Sequence, residues 1–346
     1  MSVSHLTVAN HTYFTFFSEF NRSWSGAYIL ETTVLTSIFN VAIIGNVLVL
    51  MVVVIDASMR TVTNYLVSNL ALADIVFLLS VPFVIATRIT QSWEVGLFAC
   101  KSLFYIEFVS GFCSIWTMVI ISFDRFRLIV QRNKKRFTVH FVIKMMMILL
   151  VVALVGALPM FFNFDVIQID DVTICSLKPE WSSAGVIEII YCVTVTSLGV
   201  VVPLIIIAYT HRKIRTTISE NSQRVASMSS SHVGSSQPQN IAKESPVLRM
   251  LVLLVWMFAI MWIPVLLMIL YIATSEHHRN EVPSHFFLVM WSMTAINCAV
   301  NPILYGILNE NYKRKFKKFW YAMCGRQNVD NRPRPNTVCS QNSTRA

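Results

Sequence analysis

Seven apolar stretches, each long enough to cross a bilayer, occupy most of this chain and leave little choice of fold. They run approximately from Ile29 to Ile55, Asn64 to Thr87, Phe98 to Phe123, Phe141 to Phe162, Val186 to Thr210, Val247 to Ile272 and Phe286 to Leu308. At a rise of about 1.5 Å per residue, a hydrocarbon core of about 30 Å needs roughly 20 apolar residues, and each stretch meets that length. A spanning segment must satisfy its own backbone hydrogen bonds, so it is a helix or part of a closed barrel. Barrel strands are shorter and alternate in polarity, which these stretches do not. With 55% hydrophobic and 13% charged residues in 346, the sequence predicts an all-α membrane protein. Its parts are an extracellular tail (1–28), a seven-transmembrane helix bundle (29–308) with a Ser-rich third inner loop at about 214–245, an amphipathic eighth helix (309–324) and a cytoplasmic tail (325–346).

Orientation follows from the basic residues. With the first 28 residues outside, Arg22, Arg88, Lys101, Lys178 and Arg279 lie on the outer side and every other Lys and Arg lies at the inner surface. The net charge of +10 is then explained by anionic cytoplasmic lipid and an acidic partner surface, and calls for no nucleic acid. The expected location is the plasma membrane, with the N-terminus outside and the C-terminus cytoplasmic. Met1 is followed by polar residues without a basic n-region, so the first crossing helix is expected to direct insertion. Asn10-His11-Thr12 and Asn21-Arg22-Ser23 are glycosylation acceptors in the outer tail.

Of the seven cysteines, Cys100 and Cys175 both fall at the oxidising outer face, and a bridge between them would pin the loop before the fifth helix over the bundle. Cys113, Cys192 and Cys298 sit within helices as small apolar groups. Cys324 ends a basic amphipathic stretch, Tyr312 to Trp320, in which Tyr312, Phe316 and Phe319 would lie along the membrane surface; acylation at Cys324 suits that place.

Gly45-Asn46, Asn69-Leu70-Ala71-Leu72-Ala73-Asp74, Asp124-Arg125-Phe126, Phe258 to Pro264 and Asn301-Pro302-Ile303-Leu304-Tyr305 occur in this order on successive spans. In these motifs the chain resembles the rhodopsin-like (class A) G-protein-coupled receptors. The resemblance implies a polar pocket for an allosteric sodium ion at Asp74, Ser114, Asn297 and Asn301; no other cofactor is implied. It also implies a closed inner latch between Arg125, flanked by Asp124, and Glu244. Release of the latch would let the sixth helix swing outward about Pro264 and the seventh bend at Pro302. Tyr209 and Tyr305 would turn inward, and a heterotrimeric G protein would enter. Trp262, beside Pro264, would feel a ligand from above. Pro203 departs from the pattern, because the family places its fifth-helix proline eight residues before the tyrosine and Tyr209 follows by six. The third-helix motif ends in Phe126 rather than tyrosine, and the tryptophan usual in the fourth helix is replaced near Leu150.

Phe16-Phe17-Ser18, Glu31-Thr32-Thr33-Val34-Leu35, Arg88 with Trp93, Leu103-Phe104-Tyr105 and Ile174-Cys175 look most like receptors for long-chain fatty acids. By that likeness Arg88 meets the ligand carboxylate and Trp93 helps line the acyl slot. Snorkelling of Arg88 toward lipid headgroups is the competing reading. Glu107 argues against a simple transfer, since an acyl chain descending from Arg88 would pass a desolvated carboxylate. A neutral Glu107 softens this conflict; an amine or peptide ligand anchored by Glu107 is the alternative. Serines of the inner loop (Ser227, Ser229, Ser230, Ser231) and Thr337 and Ser340 of the tail offer phosphorylation sites that would recruit arrestin.

Other classes fare worse. A retinal sensor needs a Schiff-base lysine, and none occurs between Pro283 and Leu308. A transporter would more often show internal repeats with paired broken helices. No metal-ligand spacing or nucleophile triad lies in the spans, so the chain is not expected to be an enzyme.

Overall fold

Each apolar stretch becomes helix because, in lipid, the backbone has no other partner than itself. The computed structural model describes residues 6–8, 11–18, 24, 26–131, 134–169, 171–178, 186–229, 239–274 and 284–323. Within these, the side chains of residues 6–8, 11–12, 186–189, 222, 224–229, 239–249, 251, 272–274 and 322–323 lie outside the description. Among the described residues, seven helices are long and apolar enough to cross a membrane: Ala27–Ile55, Val62–Thr90, Leu97–Ile129, Val139–Asn163, Ile190–Asn221, Val252–Tyr271 and Ser284–Leu308.

The first span is α1 (Ala27–Ile55). The second is α2 (Val62–Leu78), opened by a Thr61 side chain that accepts from the Asn64 N–H, and continued by α3 (Val81–Thr90). The break between them falls where Pro82 has no N–H to give the ladder. The third span is α4 (Leu97–Ile129), and the fourth is α5 (Val139–Gly156) with the short α6 (Leu158–Asn163). The fifth joins α7 (Val186–Thr196) through a π-helical turn (Ser197–Val201) to α8 (Val202–Ser229). The sixth lies in α9 (Gln239–Thr274), the seventh is α10 (Ser284–Leu308), and α11 (Glu310–Met323) is the eighth helix. A 3-10 turn (Ala57–Met59) joins the first two spans, and two small antiparallel hairpins lie among the described residues. β1 (Leu6–Val8) pairs with β2 (His11–Tyr13), and β3 (Phe164–Ile169) pairs with β4 (Val172–Leu177), Val166 facing Cys175.

The third span is the central rod: 72% of its most apolar window is buried inside the protein, against 17% for the fourth and fifth, whose apolar side chains face outward. Outward residues such as Val54, Ile148 and Ile205 suit lipid rather than water. Asn46 donates to the Cys298 carbonyl at 2.8 Å and ties the first span to the seventh. Gly45 lets the same two helices approach, since a Cβ there would lie 2.7 Å from the Pro302 ring.

Two buried cores are stacked along the bundle. One, at the end bearing the β3–β4 hairpin and here called outer, gathers Phe14, Phe16, Phe17, Phe104, Phe287 and Trp291. The other, at the inner end, gathers Leu66, Leu70, Ile115, Phe258, Tyr305 and Tyr312. Trp262 packs against both.

The third inner loop differs from expectation. Residues from 214 were expected in a polar loop to about 245, but α8 runs on to Ser229 and α9 starts at Gln239. No Gly or Pro interrupts residues 211–229, and Ile214 and Ile218, four apart on one face, pack against Phe126 and Ile129. The eighth helix forms, but Tyr312, expected along the membrane surface, is instead fully buried in the inner core against Tyr305, with ring centroids 5.7 Å apart, and Lys315 pairs with Asp56 at the foot of the first span. The Lys315 ammonium, helped by Ser58, holds the Asp56 carboxyl well below the usual carboxylate range.

Candidate ligand-binding and transduction site

The third, fifth, sixth and seventh spans leave a cavity of about 120 Å³ between the two cores. Its walls are aromatic and aliphatic, Phe77, Phe104, Phe112, Val200 and Leu266 among them, and Trp262 and Phe258 are at its inner side. Among the described lining residues, Glu107 carries the single carboxylate. Its Oε1 accepts a 2.8 Å hydrogen bond from Trp291 Nε1 across to the seventh span. Trp262 stacks on Phe258 with centroids 5.3 Å apart and meets Phe77 edge-on at 5.8 Å. Gly111 makes room for it, because a Cβ at that position would lie 2.4 Å from the indole. The ring at the inner side of the cavity is thus the one that packs on both cores.

The outer mouth is filled by the chain's own N-terminal segment. Phe16 lines the cavity and packs on Phe104 and Phe287 at 5.0 Å each, while Phe17 meets Trp291 at 5.4 Å. The turn that presents these rings holds Phe16 at φ +33° and is closed by Thr15 Oγ1 donating to the Ser18 carbonyl at 2.8 Å. Ser176 of β4 donates to the Phe14 carbonyl at 2.8 Å, so the hairpin and the N-terminal segment form one cover. The Cys100–Cys175 disulfide is present and fastens that cover to the third span.

Arg88 and Trp93, expected to meet the ligand, are not among the described residues that line the cavity. Arg88 is fully buried; its Nε and Nη2 donate to Glu31 at 2.9 and 2.7 Å, and its Nη1 donates to the Phe17 carbonyl at 2.9 Å. Three of the guanidinium's five donors are thus spent inside the protein, two of them on the Glu31 carboxylate. Trp93 donates from Nε1 to the Gly96 carbonyl, and its backbone N–H donates to Thr173 of β4 at 2.7 Å, so it joins the first outer loop to the hairpin.

At mid-depth, Asn301 Nδ2 donates to Asp74 Oδ2 at 2.7 Å. Ser114 and Asn297 are buried as well, and among the described residues the Oδ1 atoms of Asn297 and Asn301 have no hydrogen-bond partner. At the inner end Arg125 donates to the Thr63 hydroxyl of the second span and lies 4.0 Å from Asp124. Glu244 falls in α9 but its side chain lies outside the described residues, as do Asn10, Asn21 and Cys324. Pro302 lies inside α10, and Tyr305 is fully buried.

The fifth span resolves the proline spacing. Its π turn stands just before Pro203, and the Leu198 carbonyl within that turn accepts from Trp116 Nε1 of the third span at 3.1 Å. Tyr209 is 57% exposed and faces outward beside Phe126. His211, eight residues after Pro203, instead brings Nε2 within 3.4 Å of Ser122 Oγ on the third span. Counting from the proline rather than looking for a tyrosine finds this residue. We expect His211→Phe to lower agonist-promoted nucleotide exchange about three- to tenfold, the worth of one net hydrogen bond, while Tyr209→Phe leaves it unchanged. The reverse ranking in a nucleotide-exchange assay contradicts this assignment.

The sequence reading also passed over Trp291, the partner of Glu107, and the pairing of Glu31 with Arg88. Both partners of each pair lie on different spans, and no local periodicity relates them.

Comparison with known proteins agrees with this geometry. The profile described as 7 transmembrane receptor (rhodopsin family) matches residues 45–305. Free fatty acid receptor 4 of Rattus norvegicus is 30% identical over 336 residues, covering 91% of this chain and 90% of that protein. The Mus musculus receptor of the same name is 30% identical over 353 residues, 96% and 94% of the two chains. The substance-P receptor of Homo sapiens is 26% identical over 299 residues, 85% of this chain and 70% of that one. Membership implies a multi-pass plasma-membrane protein with an extracellular ligand and a heterotrimeric G protein as partners, and no enzyme activity. A cavity floored by Trp262, a disulfide-fastened cover and a matched profile over most of the chain make it a member of the rhodopsin family of seven-transmembrane receptors.

Proposed function

We propose that this receptor takes up a long-chain fatty acid or a related lipid and activates a heterotrimeric G protein, with arrestin ending the signal. The observation that carries the ligand class is the cavity wall: aromatic and aliphatic groups surround a space whose one described carboxylate is already bonded to Trp291. That bond offsets part of the desolvation that an acyl chain imposes on Glu107. Similarity to proteins named free fatty acid receptor 4 over most of the chain supports the same class. The N-terminus faces outward with Asn10 and Asn21 glycosylated, and Cys324, which follows α11 in the sequence, is acylated.

Ligand favours the inward-open arrangement by as much as it binds that arrangement better, and G protein favours the same one, so each raises affinity for the other. Arg125 and Glu244 close the latch that this opening breaks. A sodium ion at Asp74, Ser114, Asn297 and Asn301 favours the closed arrangement. The all-oxygen donor set, with two amide oxygens that have no partner among the described residues, suits a hard cation.

A second reading, an amine or peptide ligand, rests on Glu107 facing the cavity. Concentration-response curves separate the two. Under the lipid reading Glu107→Leu keeps or raises fatty-acid potency. A ligand held through a charged hydrogen bond to Glu107 loses about ten- to a hundredfold on the same change. Loss of that size for fatty acids, or a response confined to amines, overturns the lipid reading.

A further inference from the structure

A second cleft, separate from the ligand cavity, runs between the fifth and sixth spans at the inner half of the bundle. One end is apolar, formed by Leu204, Ile207, Val255 and Ile263. The other carries Arg212, Arg215, Thr216 and Ser219, with His211 between the two zones. Glu220 is the one acidic residue among the described lining residues. Leu204 and Arg215 are eleven positions apart on one helix, so the cleft passes from apolar to basic over about 16 Å. That is about half the thickness of a hydrocarbon core, the depth of a single leaflet. His211 fixes the level, because it faces Ser122, three residues before Arg125 at the inner end of the third span. Arg212 and Arg215 therefore lie where the inner leaflet's headgroups begin.

We propose that this cleft is a site for an anionic phospholipid of the inner leaflet. Arg212 and Arg215 hold the phosphate, and an acyl chain lies along Leu204, Ile207, Val255 and Ile263. Charge complementarity selects this occupant: two guanidinium forks and the Ser219 hydroxyl match phosphate oxygens, while Thr216 donates its own hydroxyl to the Arg212 carbonyl at 3.1 Å, and the apolar run above them matches a lipid tail. Simple snorkelling of the two arginines into bulk headgroups gives no cleft of matching polarity between helices. The cleft also separates the two spans whose parting the receptor mechanism requires, so a lipid seated there biases that equilibrium by its difference in affinity for the two arrangements. This consequence rests on the receptor reading; the binding itself does not.

Trp256 forms part of the cleft wall and is 63% exposed, which supplies an internal reporter. The full-length protein is placed in phosphatidylcholine nanodiscs containing phospholipids brominated in the acyl chain. The Trp256 contribution is taken as the difference between the native protein and Trp256→Phe. Brominated phosphatidylglycerol is expected to quench it at mole fractions where brominated phosphatidylcholine does not. Arg212→Gln and Arg215→Gln each reduce that preference about fivefold, and the double variant about thirtyfold. Both arginines are exposed, so the variants keep the fold. Equal quenching by the two lipids overturns the site, as does a phosphatidylglycerol preference that survives the double variant. Selective quenching by a brominated free fatty acid, with none by phosphatidylglycerol, overturns the phospholipid as occupant. No G protein enters the measurement, so its failure is distinct from failure of the receptor reading.

Discussion

Replacing Arg88 by alanine is expected to destabilise the protein by about 3 to 5 kcal/mol, because it leaves the Glu31 carboxylate and the Phe17 carbonyl without their common donor. Glu31 is 21% exposed and keeps some water, which places the change nearer the lower figure. Glu31→Ala takes two hydrogen bonds from a fully buried guanidinium and is expected to cost a similar amount. Changing both residues to leucine recovers most of the loss, since two apolar groups leave no charge behind. Thermal unfolding of the purified variants measures this series. The same variants decide what Arg88 does for ligand. If Arg88 anchors a ligand carboxylate, Glu31→Gln frees the fork and raises fatty-acid potency. If Arg88 braces the N-terminal cover, Glu31→Gln and Arg88→Ala lower the response together. The geometry favours the second outcome, since the fork also holds the backbone of Phe17, whose ring packs on Trp291.

Removing the disulfide is expected to be of similar size. Cys100 and Cys175 close a loop of 75 positions, for which chain entropy alone gives about 4 kcal/mol. The bond also sets the register of the cover: Cys175 is paired with Val166 in the hairpin, and its neighbour Ser176 holds the Phe14 carbonyl. Cys100→Ser, Cys175→Ser and the double variant should therefore lose stability and ligand response equally, because each breaks the same single bond. A single variant with native thermal stability contradicts this role.

The seven spans were legible because length and unbroken hydrophobicity suffice to identify a helix in lipid. Their cytosolic ends were not, since there the chain leaves lipid and tertiary packing decides. Ile214 and Ile218 keep α8 helical through a segment whose polarity alone suggested loop. Asp74, Asn301, Trp262 and the cysteine pair were readable from motifs, and the structure brings Asp74 to Asn301 and Cys100 to Cys175. The ligand end was less readable. Arg88 was visible as a cation at the outer end of the second span, suited to a ligand carboxylate or a lipid headgroup, but its actual carboxylate stands 57 positions earlier on another span, where sequence offers no ruler. Glu107 was visible too, whereas Trp291 gave no sign of being more than an apolar wall residue. His211 was hidden by a nearby tyrosine of the expected type at the wrong spacing.

Occupancy of the Trp262-floored cavity is expected to change what the inner face does to a G protein. The most direct measurement is GTP loading of purified heterotrimers by this protein in nanodiscs, with and without long-chain fatty acid. Fatty acid is expected to promote loading of at least one heterotrimer, and Arg125→Ala to abolish it. No promoted loading of any heterotrimer by any lipid, amine or peptide, together with solute flux through the same preparation, contradicts it.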